Sequence, residues 1–192
     1  MSAKVRLALM VVLALAQLAV PGTIIAIHES VLRLGKPYKF RVAPVDPYDA
    51  FRGRYVALGF ARTQAPAAPG MENQRGPAWA RVVEEPDGFA GFAEVAPKPA
   101  AEGDWIKVMI SYAYRGTANF RLPFDRFYME ESAAPEAERA LWRRSWRQRT
   151  SQEAYVVVRI RGGRAVVEQL FLAGVPIAEY LKQNPPEKEQ PR

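Results

Sequence analysis

From Leu7 to Ile27 the chain reads LALMVVLALAQLAVPGTIIAI, 21 residues without a charge and with only Gln17 and Thr23 carrying polar side chains. At about 1.5 Å rise per residue, a helix of this length covers roughly 30 Å, the thickness of a bilayer's hydrocarbon core. Pro21 and Gly22 are both common in membrane spans. Beyond this run the pattern changes to short alternations. Tyr38 to Val42, Tyr55 to Phe60, Trp79 to Glu85 and Phe89 to Val95 read as strands, the last two joined through Pro86-Asp87-Gly88. After Gly103-Asp104, the apolar residues Ile106, Val108, Ile110 and Tyr112 alternate with Lys107, Met109 and Ser111, the period of a half-buried strand. Ser132 to Gln148 carries a helix start: a capping hydroxyl, Pro135 in the first turn and early acids, with Ala137, Leu141 and Ser145 expected inward. AYVVVRIR (154–161), Gly162-Gly163 and RAVVEQLFL (164–172) predict a hairpin with a two-residue turn, because paired glycines supply the positive φ such a turn requires. The predicted fold is α+β, mostly antiparallel β-hairpins with one main soluble helix, preceded by a single N-terminal transmembrane helix.

The organisation that follows is a basic leader at 1–6, a signal anchor at 7–27, one β-rich domain at 28–181 and a disordered tail at 182–192. QAPAAPGMENQRGP (64–77) reads as a mobile excursion within that domain. Composition narrows the chemistry. In 192 residues there is no Cys and a single His, which removes disulfide scaffolds, thiolate metal sites, cysteine nucleophiles and His-rich metal sites. Lys plus Arg number 27 against 20 Asp plus Glu, and the excess is concentrated. Eight arginines lie between Arg139 and Arg164 against Glu153 alone. Arg143, Arg144, Arg147 and Arg149 make a candidate contact with anionic lipid. Nucleic acid is not expected as a partner, since Trp142 and Trp146 sit four apart, the spacing of a helical core.

Lys4 and Arg6 place the N-terminus in the cytoplasm and the domain outside the inner membrane, although Arg33, Lys36, Lys39 and Arg41 follow the span closely. The competing reading is a signal peptide cleaved after Ala14-Leu15-Ala16, which would leave a secreted domain.

Gly53-Arg54-Tyr55-Val56-Ala57-Leu58 follows a Pro/Asp-rich loop and a single N-terminal span. This stretch resembles the GDYXXLXP family of bacterial membrane-anchored proteins, whose function is not established. The approach LRLGKPYKFRVAPVDPYDAFRG, the later segment FYMEESAAPEAE and the closing Gly-Gly hairpin ending in LFLAG are similar to the family as well. Arg54 stands where the motif has Asp, and the closing Pro is absent. These departures favour a structural role, with Gly53 permitting a backbone conformation closed to other residues and Tyr55 and Leu58 on a strand entering the core.

Asp46 and Asp49 are a paired-carboxylate candidate, but the ligand series of a calcium loop is missing, and loop-capping carboxylates are commoner. Glu130 stands before the predicted helix. His28 falls where the span would leave the bilayer, an interfacial position. No serine lies in a Gly-x-Ser-x-Gly elbow, and no Gly-rich phosphate loop is present. Ser30 and Lys107 are the one Ser/Lys pair to weigh, and Lys107 alternates onto the solvated face. No cofactor and no metal are expected.

The resulting expectation is a non-enzymatic, membrane-anchored binding or accessory module for another integral membrane protein. Its candidate contact residues are Asp46, Asp49, Arg52, Gly53, Arg54, Tyr55, Leu58 and Glu130. The rival is a membrane-tethered hydrolase or metal-dependent enzyme using Asp46, Asp49 and Glu130.

Overall fold

The computed structural model describes residues 3–43, 55–60, 63–130, 133–147 and 154–184. The apolar run is part of one helix, α1 (Ala3–Leu34), which passes through Pro21 without ending. At 32 residues it is about 48 Å long. It is long and apolar enough to cross a membrane, and none of its apolar window is buried against the rest of the chain. The helix therefore continues seven residues past Ile27, where the apolar pattern stops. Its last turns become half-buried, and Val31 is fully enclosed.

A single residue, Gly35, separates α1 from strand β1 (Lys36–Ala43). Its N–H donates to the Val31 carbonyl at 2.8 Å. A side chain here would run into that carbonyl and into Arg159 and Ile160 of the neighbouring strand. Gly35 is thus set by close backbone approach.

Two five-stranded sheets follow. The first has the order β12 (Val175–Pro176), β11 (Arg164–Leu172), β10 (Ala154–Arg161), β1 and β3 (Gly59–Phe60). The second has the order β4 (Gln64–Pro66), β8 (Thr117–Arg121), β7 (Asp104–Tyr114), β5 (Gly76–Glu84) and β6 (Ala90–Ala96). Every ladder in both is antiparallel. The two sheets share one core. Tyr38, Phe40, Val42, Val156, Val158, Ile160, Leu170 and Leu172 come from the first, and Ala78, Ala80, Val82, Val95, Ile106, Val108, Ile110, Ala118 and Phe120 from the second. Alternate residues of each strand point inward, as the two-residue period requires. α2 (Ala134–Arg147) lays Ala134, Ala137 and Ala140 into the body of the protein and touches strand β2 (Tyr55–Ala57) and a short last helix, α3 (Ile177–Gln183).

The α+β class and its antiparallel hairpins follow the sequence pattern, and several details depart from it. The 55–60 run is two strands in two sheets, since β2 pairs with β9 (Arg126–Tyr128) while β3 pairs with β1. Residues 64–77 are fastened in place: β4 pairs with β8, Ala68 N–H donates to Val95 O, Asn73 N–H donates to Ala113 O, and Met71 is 1% exposed. Pro66 is tolerated there because β4 is an edge strand. Tyr112 faces outward at 52% exposure, because an irregularity between Ile110 and Tyr112 shifts the register and turns Ala113 inward instead. Residues 182 and 183 belong to α3, where Ile177 is buried, so the ordered chain runs beyond 181. The capping position Ser132 and the segment 185–192 lie outside the described residues.

Candidate functional site

The motif ends in a two-stranded ribbon. β2 and β9 run antiparallel with Tyr55 opposite Tyr128, Val56 opposite Phe127 and Ala57 opposite Arg126. Alternation divides their side chains. Val56 is fully buried, Leu58 is 5% exposed, and Tyr55 and Tyr128 lie on the other face. Leu58 N–H donates to the Asp125 carbonyl at 2.8 Å, extending the ribbon by one bond before the chain crosses into β3. Phe60 then enters an aromatic cluster, 5.3 Å from Phe124 and 6.3 Å from Phe40 between ring centroids, both edge to face. The motif's apolar positions are therefore pegs that hold the ribbon to the core.

The ribbon's outward residues make a surface group. The Tyr55 and Tyr128 rings are 5.8 Å apart, and the Arg126 guanidinium lies 4.9 Å from the Tyr55 ring centre, within reach of a cation–π attraction. Arg126 is held above its ordinary value, first by its hydrogen bond with Tyr128 and then by Tyr55 and Asp125. α2 backs the ribbon, where Glu138 Oε1 accepts a long 3.5 Å bond from Ala57 N–H. Glu130 is exposed and contributes through its backbone: its carbonyl accepts from Ala133 and Ala134 N–H at the entry to α2. The fold thus brings Tyr55, Leu58 and Glu130 to one side of the molecule. Asp46, Asp49, Arg52, Gly53 and Arg54 lie outside the described residues, as do Arg149 and the side chains of Arg143, Arg144 and Arg147.

Arg126 and Tyr128 were not singled out from the sequence, although Tyr128 lies within FYMEE, which carries part of the resemblance, and Arg126 immediately precedes it. The available signal was the Arg-Phe-Tyr alternation, three residues too short to register as a strand on its own.

A second polar cluster lies at the other end of β1. Tyr38 Oη donates to Asp104 Oδ2 at 2.6 Å, and Lys36 Nζ reaches the same oxygen at 3.5 Å. This joins the start of β1 in one sheet to the first residue of β7 in the other. Burial, and next the bond to Asp104, push the Tyr38 phenol up, so it remains a donor. The Lys36 ammonium is raised, first by its hydrogen bond with Tyr38. The cluster acts as a latch between sheets. Ser30 donates its hydroxyl back to Ile27 O within α1, and Lys107 lies 5.4 Å from the Trp79 ring centre, so the two are engaged separately. Among the described residues, no three His, Asp or Glu side chains come together as metal ligands would.

Comparison with curated proteins and with solved structures returns no match. The family model described as "GDYXXLXY protein" matches residues 17–170. The motif so spelled closes on Tyr, where the sequence reading had Pro, and Phe60 occupies that position, so the closing aromatic ring is kept. Gly53, Tyr55 and Leu58 stand in register with it, and Arg54 replaces its Asp. With most of its length matched, this chain belongs to the GDYXXLXY protein family.

Proposed function

We propose that this is a single-pass protein of the bacterial inner membrane, anchored by residues 7–27. Its periplasmic domain is a non-enzymatic binding or accessory module for another integral membrane protein. The observation that carries the reading is that none of the apolar window of α1 is buried, beside a domain fastened to its end by one residue. An apolar helix of that length standing free of its own domain needs an apolar surround. The packing of Val31 and Gly35 into the sheet supports an uncleaved anchor, because the end of the apolar helix is also part of the domain. The ribbon supports the binding role: Tyr128 at 67% exposure, paired with Tyr55 and Arg126, is the kind of aromatic and arginine group that protein interfaces favour.

The test has two parts. Full-length chain with a C-terminal tag is expected in the membrane fraction, with the tag cut by protease in intact spheroplasts. A protected tag reverses the orientation, and a soluble product starting near Gln17 replaces the anchor with a secreted form. A photo-crosslinking residue at Tyr128 is then expected to give one membrane-protein adduct that disappears when Tyr55→Ala is added. Hydrolytic activity lost on alanine substitution of Asp46, Asp49 or Glu130, with the fold intact, would replace the binding module by the enzyme.

A further inference from the structure

The end of the domain nearest α1 is built from the start of β1, the end of β10, the Gly162-Gly163 turn, the start of β11 and the start of β7. Lys36 pairs with Ile160, and the last turns of α1 pack on β10 and β11. The β10–β11 hairpin reaches past the start of β1 by Arg161 and its turn. β7 meets that turn directly. Ile106 bridges to Gly163, Lys107 N–H donates to Gly163 O at 3.3 Å, and the Trp79 ring lies against Gly163 where a side chain would otherwise stand.

Charge at this end is uneven. Three carboxylates hold a cation: Glu29 holds Arg33, Asp104 holds Lys36, and Glu168 takes Arg159 through two bonds at 2.8 and 3.0 Å. Among the described residues, Glu102, just before β7, is exposed without an ion pair, and Arg161, Arg164 and Lys107 here have no carboxylate partner. Arg161 and Arg164 face each other across the ladder, a like-charged pair that is unfavourable unless an anion lies between or above it. Among the described residues neither has an ion pair or side-chain hydrogen bond, and both are exposed. Lys107 is exposed beside them over the Trp79 ring. Gly35 fixes where this group stands. With Arg159 Nη1 donating to Gly35 O at 3.2 Å and no space for a side chain, helix and hairpin are locked together. From Ile27 to Gly35 is about 12 Å along the helix axis, close to one screening length from the hydrocarbon edge.

We propose that Arg161, Arg164 and Lys107 form a phosphate-binding tip that seats the domain on anionic phospholipid headgroups of the membrane α1 crosses. The inference rests on the reading of α1 as an anchor. It adds the hairpin tip as a second basic contact with lipid, apart from the α2 arginines. The guanidinium pair provides planar donors to phosphate oxygens, Lys107 adds a point charge, and Trp79 supplies an aromatic ring of the type found at membrane interfaces.

The chain lacks cysteine, so a spin label can be placed singly at Gly162→Cys, where the space around the turn is open but the φ of +56° strains a side chain. Each labelled protein is first matched to the native circular-dichroism spectrum and melting temperature. Tyr114→Cys, at the other end of β7, serves as the reference. Full-length protein goes into nanodiscs of phosphatidylcholine with or without phosphatidylglycerol. The label at 162 is expected to be shielded from a water-soluble relaxation agent only with phosphatidylglycerol, while the label at 114 is unchanged. In Arg161→Gln and Arg164→Gln the shielded population should fall about fivefold per arginine. It should also vanish at about 1 M salt, where screening shortens to roughly 3 Å. Equal access at 162 in both lipids, with the protein incorporated, overturns the tip and leaves the anchor standing. Failure to incorporate at all overturns both.

Discussion

β1 connects two regions that are held by different means. At its first end, Gly35, Tyr38 and Lys36 join helix, sheet and opposite sheet through short polar bonds and a backbone approach that admits no side chain. At its last end, Val42 and Ala43 pair with β3, and the motif ribbon beyond is pinned by Val56, Leu58 and Phe60 in the core. The anchor end specifies a geometry, because hydrogen bonds and close packing have one good arrangement. The ribbon end specifies a depth: apolar pegs fix how far it sinks, and its outward Tyr55, Tyr128 and Arg126 remain at the surface.

Substitutions should separate the two modes. Leu58→Ala, deleting a buried peg, is expected to lower stability by about 3 kcal/mol, read by denaturant titration in detergent. A change under about 1 kcal/mol would mean the ribbon is not held by its pegs. Gly35→Ala should cost about 2 kcal/mol, because the new methyl meets the Val31 carbonyl, the Arg159 Cβ and the Ile160 backbone nitrogen. It should also disturb the end of α1, seen as faster amide exchange over residues 30–36.

Tyr38→Phe should cost about 1 kcal/mol by leaving Asp104 with Lys36 alone. It should also flatten the alkaline limb of stability. Both Tyr38 and Lys36 are raised above their ordinary values of 10.0 and 10.5, so their contribution is present below those values and lost as pH climbs past them. Melting temperatures at increasing pH above 10.0 should therefore fall more steeply in the native chain than in Tyr38→Phe. Tyr128→Ala, at the ribbon's surface, should cost less than about 1 kcal/mol, since it removes only a ring pair. A larger loss there would erase the distinction between pegs and surface.

What the sequence discloses follows the range of the forces involved. The β10–β11 hairpin is legible because its β-branched runs and Gly162-Gly163, at φ +56° and +79°, are local. The outward turn of Tyr112 is not, because a bulge depends on the partner strand's register. The division of residues 55–60 between two sheets is hidden for the same reason, each half finding a partner far along the chain. At the site, Tyr55 and Leu58 are legible through the motif, while Arg126 joins them only by pairing across some seventy residues.

The single residue between α1 and β1 also has a mechanical consequence. A flexible tether would let the domain forget the attitude of its anchor, whereas Gly35, bonded on both sides, leaves no slack to absorb a rotation. A bilayer that thins or thickens changes the tilt of a spanning helix. With α1 spanning a membrane as proposed, that tilt would swing both sheets as one lever, with the Tyr55–Tyr128 ribbon beyond the opposite end of β1 from the helix.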